Sequence, residues 1–191
     1  MGGRAPTVIA AMVQENLRGT GVLGGAAQRA IRRSLGASLV EAVEGALRIG
    51  WVETGIDRRI FAAIAEHAGL DGVARVIERN LRLHFERPLF RPMVEVARRV
   101  HGLEVRPVLT LLSKSFNLVH RDNGALTLAD RGGCLELELV DAEPGTVADG
   151  VYMHAFAVAF QTSMRLARPD GTVNVTAVEP ARGFVRFTCA V

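Results

Sequence analysis

The chain has 191 residues, of which 49% are hydrophobic, 23% charged and only 5% aromatic. This length fits one globular domain, or two small subdomains that share a core. The mean hydropathy of +0.20 excludes a disordered chain. Because no window approaches roughly 18 consecutive uncharged apolar residues, the sequence predicts no membrane span. The segment from Thr7 to Leu17 contains Gln14 and Glu15 and makes a poor signal-peptide core, so we expect a cytoplasmic protein.

The charge is distributed unevenly along the chain. Residues 1–121 carry 18 basic and 11 acidic side chains, a net charge of +7, whereas residues 122–191 carry 5 and 9, a net charge of −4. The total of only +3 argues against a nucleic-acid partner. Arginine doublets such as Arg32-Arg33 predict solvated helix faces with ion pairs. The opposite charges predict that the two halves, or two copies of the chain, fit together.

The first half shows the hydrophobic period of amphipathic helices. In chain order, the predicted helices span 8–17 (closed by Gly19), 26–49 (weakened at Gly36 and Gly45), 57–68 (ending at Gly69), 71–85, 93–100 and 105–119, and residues 50–55 form a predicted connector. The last of these helices has the most regular apolar stripe. These patterns predict a helical bundle in residues 1–121.

The second half shows the alternation of strands. Strands are predicted at 125–129, 134–140, 172–178 and 184–191, with turns at 122–124, 130–133 and 179–183 and a very apolar helix at 150–166. In the second strand Leu137 points to one face and Glu136 to the other, which predicts one buried face and one wet face. The expected fold class is α+β: an N-terminal helical bundle packed on a four-stranded antiparallel sheet, formed by two hairpins that flank an apolar helix. We expect residues 1–121 and 122–191 to form one compact domain.

No catalytic or metal-binding motif stands out. The glycines of Gly19–Gly24 match the spacing of a dinucleotide-binding loop, but a helical pattern precedes them, so a connector between helices is the better interpretation. Cys134 and Cys189 lie in strand-like runs and are predicted to be small core residues. The five histidines are spread singly, which argues against a zinc site. We therefore predict no enzyme, no metal and no cofactor.

An apolar ligand pocket is the default site of such a domain. The candidate lining residues are His84, Phe85, Phe116, Tyr152, Phe156 and Phe160. His84 falls on the apolar stripe of its helix and has two interpretations. It is a partly buried histidine with a hydrogen-bonded tip, or it is an axial ligand for haem or a contact to another planar ligand.

The C-terminal pattern carries a family resemblance. It consists of a hairpin, the segment Gly150–Phe160, and a second hairpin that ends at Phe187-Thr-Cys-Ala-Val191. This order resembles the ligand-binding superfamily of vinyl-reductase-type (V4R) domains, haem-nitric-oxide-binding domains and TRAPP Golgi-transport subunits. The wider chain resembles an uncharacterised paralogous family of myxobacterial proteins, through Gly50-Trp51-Val52, Arg106-Pro-Val108 and the Asn123-Gly124 turn.

The resemblance implies an α+β domain with an apolar pocket between helices and sheet, often dimeric through its helices, and it does not imply an enzyme. The haem-binding branch has a Tyr-x-Ser-x-Arg segment that clamps the haem propionates, and this chain has no such segment, since its single tyrosine is Tyr152. The cysteine cluster of the metal-containing vinyl-reductase-type sensors is also missing.

Three hypotheses for function follow. The first is a non-enzymatic sensory or adaptor domain that binds a small apolar ligand or a partner protein. The second is a structural interaction protein that forms a homodimer through a helix face. The third is a haem or nitric-oxide sensor with His84 as the axial ligand.

Overall fold

The computed structural model describes residues 5–85 and 104–190. In these ranges the helices are α1 Ala10–Gly19, α2 Gly25–Leu35, α3 Ala37–Gly45, α4 Thr54–Phe85, α5 Val105–Val119, α6 Pro144–Ala148 and α7 Gly150–Met164. The strands are β1 Thr7–Ile9, β2 Trp51–Glu53, β3 His120–Arg121, β4 Ala125–Arg131, β5 Cys134–Val140, β6 Thr172–Glu179 and β7 Phe184–Ala190. The α+β class is confirmed.

The helical half breaks at glycines. The predicted stretch 26–49 is two helices, because Gly36 lies between α2 and α3 with φ of 83°, a conformation that side chains with a Cβ rarely adopt. Helix α4 has non-helical backbone at Gly69, which separates the two predicted segments as expected. The predicted helix 93–100 lies outside the described residues.

A small sheet of order β2-β1-β3 was not predicted. It corrects two predictions: Val8 lies in a strand and not in the first helix, and the predicted connector 50–55 contains β2 and the start of α4. Strands of two or three residues are too short to show an alternating pattern, so only the pairing of distant segments reveals them. This sheet brings the chain around residues 7, 52 and 120 together at one end of the helical half.

The four-stranded antiparallel sheet has the order β4-β5-β7-β6, which confirms the two predicted hairpins. Leu137 and Phe187 are paired across β5 and β7, and both are fully buried. The opposite face is less wet than predicted, since Glu136 is only 9% exposed. Arg131 and Arg186 cover Glu136 and Glu138 with N–O distances of 2.8–3.2 Å.

Helix α7 lies between the sheet and the helical half. Nine of its residues are buried, on all sides of the helix, as a helix enclosed by both layers requires. The predicted apolar helix is thus confirmed, and it joins one continuous hydrophobic core that includes residues from both halves. Among the described helices, none is long and apolar enough to cross a membrane.

Candidate functional site

Seven rings from five elements (α4, α5, β3, α7 and β7) meet around α7. We call this group the aromatic layer; its members are Phe61, Phe116, His120, Tyr152, Phe156, Phe160 and Phe187. Phe156 is central, with ring centroids 5.4 Å from Phe116, 4.6 Å from Tyr152 and 6.0 Å from Phe160. Every ring of the layer is at most 8% exposed. Tilted and edge-to-face pairs dominate, as the quadrupoles of aromatic rings favour.

The structure brings together four of the six predicted pocket residues. Phe116, Tyr152, Phe156 and Phe160 all belong to the aromatic layer, where they touch one another and fill this part of the interior. His84 lies elsewhere, partly buried in the last turn of α4. The side chain of Phe85 lies outside the described residues. Whether these residues hold a ligand stays a prediction.

His120 is a layer member that the sequence did not single out. It follows α5 directly, and its ring stacks on Phe116 with centroids 4.1 Å apart, while the edge of Phe156 lies 5.7 Å away. Its Nδ1 atom lies 3.1 Å from the carbonyl oxygen of Phe116 and donates to it in the tautomer that carries the proton there. Burial lowers the pKa of His120 to about 4, so the ring is neutral at pH 7.

A buried polar cluster adjoins the layer at Tyr152. The carboxylate of Asp57, in the first turn of α4, is 2% exposed. It accepts hydrogen bonds from the Tyr152 hydroxyl at 3.2 Å and from the Asn16 amide on α1 at 2.9 Å. Asn80 donates to the Asn16 oxygen at 3.1 Å and continues the cluster along α4. Burial raises the pKa of Asp57 to about 6, and the two donors only partly oppose this shift.

Arg58, the next residue of α4, is bound to the residue that caps the first turn of α7. Arg58 donates from Nε to the Asp149 carboxylate at 3.0 Å, and Asp149 caps α7 by accepting from the Tyr152 backbone N–H at 3.0 Å. Arg58 also lies 3.8 Å from Glu143. Two consecutive residues, Asp57 and Arg58, therefore fix the first turn of α7 against the helical half.

The sequence contains a signal for Asp57 and His120, the two buried titratable residues that the sequence analysis did not identify. Asp57 precedes Ile60, Phe61 and Ile64 by three, four and seven positions, so it shares their buried helix face. His120 stands four positions after Phe116 and extends the stripe of α5 by one more turn. A polar residue in phase with an apolar stripe is the signal that identifies such positions.

Other predicted features fall outside the layer. Cys189 is 2% exposed in β7, and burial raises the pKa of its thiol to about 12, as expected of a core cysteine. Gly19–Gly24 connects two helices, as interpreted from the sequence. In residues 5–85 and 104–190, no group of three acidic, histidine or cysteine side chains is placed to hold a metal ion.

The aromatic layer does not fit a haem group. A macrocycle needs van der Waals distance, about 3.5 Å, on each of its faces, whereas His120 and Phe116 are only 4.1 Å apart and leave no gap between them. Each of the other rings also has a neighbouring ring with its centroid within 6.0 Å. The Tyr-x-Ser-x-Arg segment of the haem-binding branch is also absent from the sequence.

Comparisons with known proteins show which fold this is. No protein-family model matches the sequence, and no curated protein matches it. The chain is similar to solved structures of H-NOX domains. One comes from work on haem distortion in the H-NOX family, with a TM-score of 0.63 and 14% identity over 95% of this chain and 92% of that one.

A second similar structure is a mutant of the T. tengcongensis H-NOX domain, with a TM-score of 0.62 and 15% identity over 95% and 94% of the two chains. A third is an oxygen-binding H-NOX domain related to soluble guanylate cyclases, in its oxygen complex, with a TM-score of 0.61 and 16% identity over 95% and 92%. The narrower resemblance to V4R, TRAPP and the myxobacterial family stays a prediction. Over nearly its whole length, this chain has the fold of the H-NOX domains.

Proposed function

We propose that this chain is a non-enzymatic sensory domain that binds a small planar apolar molecule in the aromatic layer. The observation that carries the proposal is the position of this layer, which lies where α4, α5, α7 and the sheet meet. The fold likeness to H-NOX domains, which covers 95% of the chain, supports the sensory role. Because the rings of the layer are packed against one another, such a ligand must displace one of them, and Phe156 is the central ring. A one-ring ligand can then make the dispersion and quadrupole contacts that the displaced ring made.

The site has a built-in path for transmitting occupancy. Phe156 is the central ring, and Tyr152 lies one helical turn before it with centroids 4.6 Å apart. A ligand that displaces Phe156 therefore shifts Tyr152, whose hydroxyl bonds Asp57. Asp57 in turn holds Asn16 on α1. Ligand binding would change the contact between the sheet half and the first helix.

Native mass spectrometry of the freshly purified protein tests the proposal, followed by thermal unfolding with added indole as a one-ring probe. We expect a retained small molecule or a rise in Tm with indole. Both signals should vanish in Phe156→Trp, which enlarges the central ring. They should persist in Phe184→Trp, a matched change at the start of β7 outside the layer. A bare polypeptide mass together with an unchanged Tm would overturn the proposal.

The second candidate is a haem-based sensor. The fold likeness favours it, since the similar structures include work on haem distortion and an oxygen complex. This likeness supports haem more directly than any other ligand, whereas the packing of the aromatic layer opposes it. Adding haem to the purified protein separates the two candidates. A Soret band that is lost in His84→Ala and kept in His67→Ala, at an exposed histidine, supports haem; the absence of a band removes it.

A further inference from the structure

A second feature of the molecule is an open groove between α2 and α3, on the surface of the helical half. Its volume is about 540 Å³. Arg29, Arg32 and Arg33 of α2 form one wall, and Glu41 and Glu44 of α3 form the other. The hairpin bends at Gly36, which sets the two walls side by side.

The charges in the groove are only partly neutralised. Arg32 and Glu44 form a two-pronged pair with distances of 2.9 and 3.1 Å, which crosses from one wall to the other. Arg29, Arg33 and Glu41 make no ion pair or side-chain hydrogen bond with the described residues. All three are exposed. The groove therefore offers two unpaired cations on one wall and one unpaired anion on the other.

The charge pattern of the groove is complementary to itself. In a twofold dimer, the α2 wall of one copy faces the α3 wall of the other, and the same contact occurs twice. We propose that the α2–α3 hairpin is the self-association surface of this protein, with Arg29 and Arg33 of each copy against Glu41 of its partner copy. An anionic ligand would pair with Arg29 and Arg33 but leave Glu41 without a partner.

Apolar residues next to the groove support the same occupant. Leu47 and Ile49 follow α3 by a few residues and are 77% and 83% exposed, the highest values among the large hydrophobic residues in ranges 5–85 and 104–190. Leu47 stands three positions beyond Glu44, so the chain keeps it within about 10 Å of the groove wall. Burying such side chains supplies affinity, and the charges supply the register.

Sedimentation velocity over a range of protein and salt concentrations tests the proposal. We expect a dimer at low salt that dissociates more readily as salt rises, by about tenfold in Kd between 50 and 500 mM NaCl. Arg29→Glu/Arg33→Glu should give a monomer, because equal charges then face each other. Glu41→Arg should do the same from the other wall.

Mixing the two variants provides the decisive measurement. In the mixed dimer, the new glutamates of one variant face the new arginine of the other, and Glu41 of the first faces Arg29 and Arg33 of the second. The mixture should therefore dimerise although neither variant does so alone, which also shows that both variants are folded. The control Arg168→Glu/Arg182→Glu makes the same charge change elsewhere and should leave the dimer intact. A monomeric wild type, a dimer that survives reversal of either wall, or a mixture that stays monomeric would overturn the proposal.

Discussion

The hydroxyl of Tyr152 donates a 3.2 Å hydrogen bond to the carboxylate of Asp57, although 95 positions separate the two residues in the chain. This bond joins the start of α7 to the start of α4. It connects the aromatic layer, which carries no net charge at pH 7, to a buried carboxylate. The contribution of this hydrogen bond to stability depends on whether Asp57 is ionised. It can therefore be measured by varying the pH.

Asp57 should make the protein less stable as pH rises from about 4 to about 6. Its pKa in the folded protein is about 6, above the value of about 3.9 in an unfolded chain. In this window the folded form holds a proton that the unfolded form has lost, so stability falls with rising pH. At pH 7.5 the ionisation of the buried Asp57 lowers the free energy of unfolding by about 3 kcal/mol. Asp57→Asn should abolish this slope and leave the protein at least as stable as wild type at pH 7.5, measured by urea unfolding.

His120 should have the opposite effect. Its folded pKa of about 4 lies below the ordinary value of 6.5, so between these values the unfolded form binds a proton that the folded form does not. Stability is therefore complete above about pH 6.5 and falls as pH decreases toward 4, by about 3 kcal/mol. His120→Gln keeps a neutral hydrogen-bond donor and should remove this loss.

Asp57→Asn and His120→Gln serve as controls for each other when both are unfolded with urea at several pH values between 4 and 7.5. In wild type the two slopes largely cancel. Asp57→Asn should therefore reveal a protein that weakens in acid, and His120→Gln one that strengthens in acid. The double variant should lack both of these contributions and show a small pH dependence. Parallel pH profiles for both single variants would contradict the assignment of these two buried groups.

The ion pair between Arg58 and Asp149 should contribute measurably to stability. Asp149→Ala removes both the cap of α7 and the ion pair and should cost about 2 kcal/mol. Asp149→Asn keeps the cap and should cost less. A double-mutant cycle on Arg58 and Asp149 should give a larger coupling energy than one on Arg182 and Glu179, whose side chains are 74% and 42% exposed. Equal coupling energies in the two cycles would show that the Arg58–Asp149 pair behaves as an ordinary surface ion pair.

Phe156 should be the most costly ring of the layer to remove. Phe156→Ala leaves a cavity among four contacting rings and should lower the free energy of unfolding by about 3–5 kcal/mol. Phe184→Ala, at a partly exposed ring beside Arg182 and Arg186, should cost about 1 kcal/mol. Equal losses in urea unfolding would show that the layer is not a tightly packed unit.

Much of the fold followed from local patterns. The hairpins around Gly132 and Gly183, the apolar helix α7 and the stripe of α5 have periods that a single segment displays by itself. The small sheet did not, because its strands of two or three residues pair across more than 40 positions along the chain. The same holds for the aromatic layer. Four of its rings lie in apolar patterns that the sequence displays, but the contacts between them depend on how α4, α5 and α7 pack.

The sequence by itself determined the α+β class, the split of charge between the halves and the apolar character of α7, since each of these depends on neighbouring residues in the chain. Only the tertiary structure decided that Asp57 and His120 are buried, that Arg58 reaches Asp149, and that a groove with unlike walls opens between α2 and α3. The physical reason is that burial and ion pairing depend on distances between segments. Those distances set the dielectric surroundings of a charge, and no local pattern contains them.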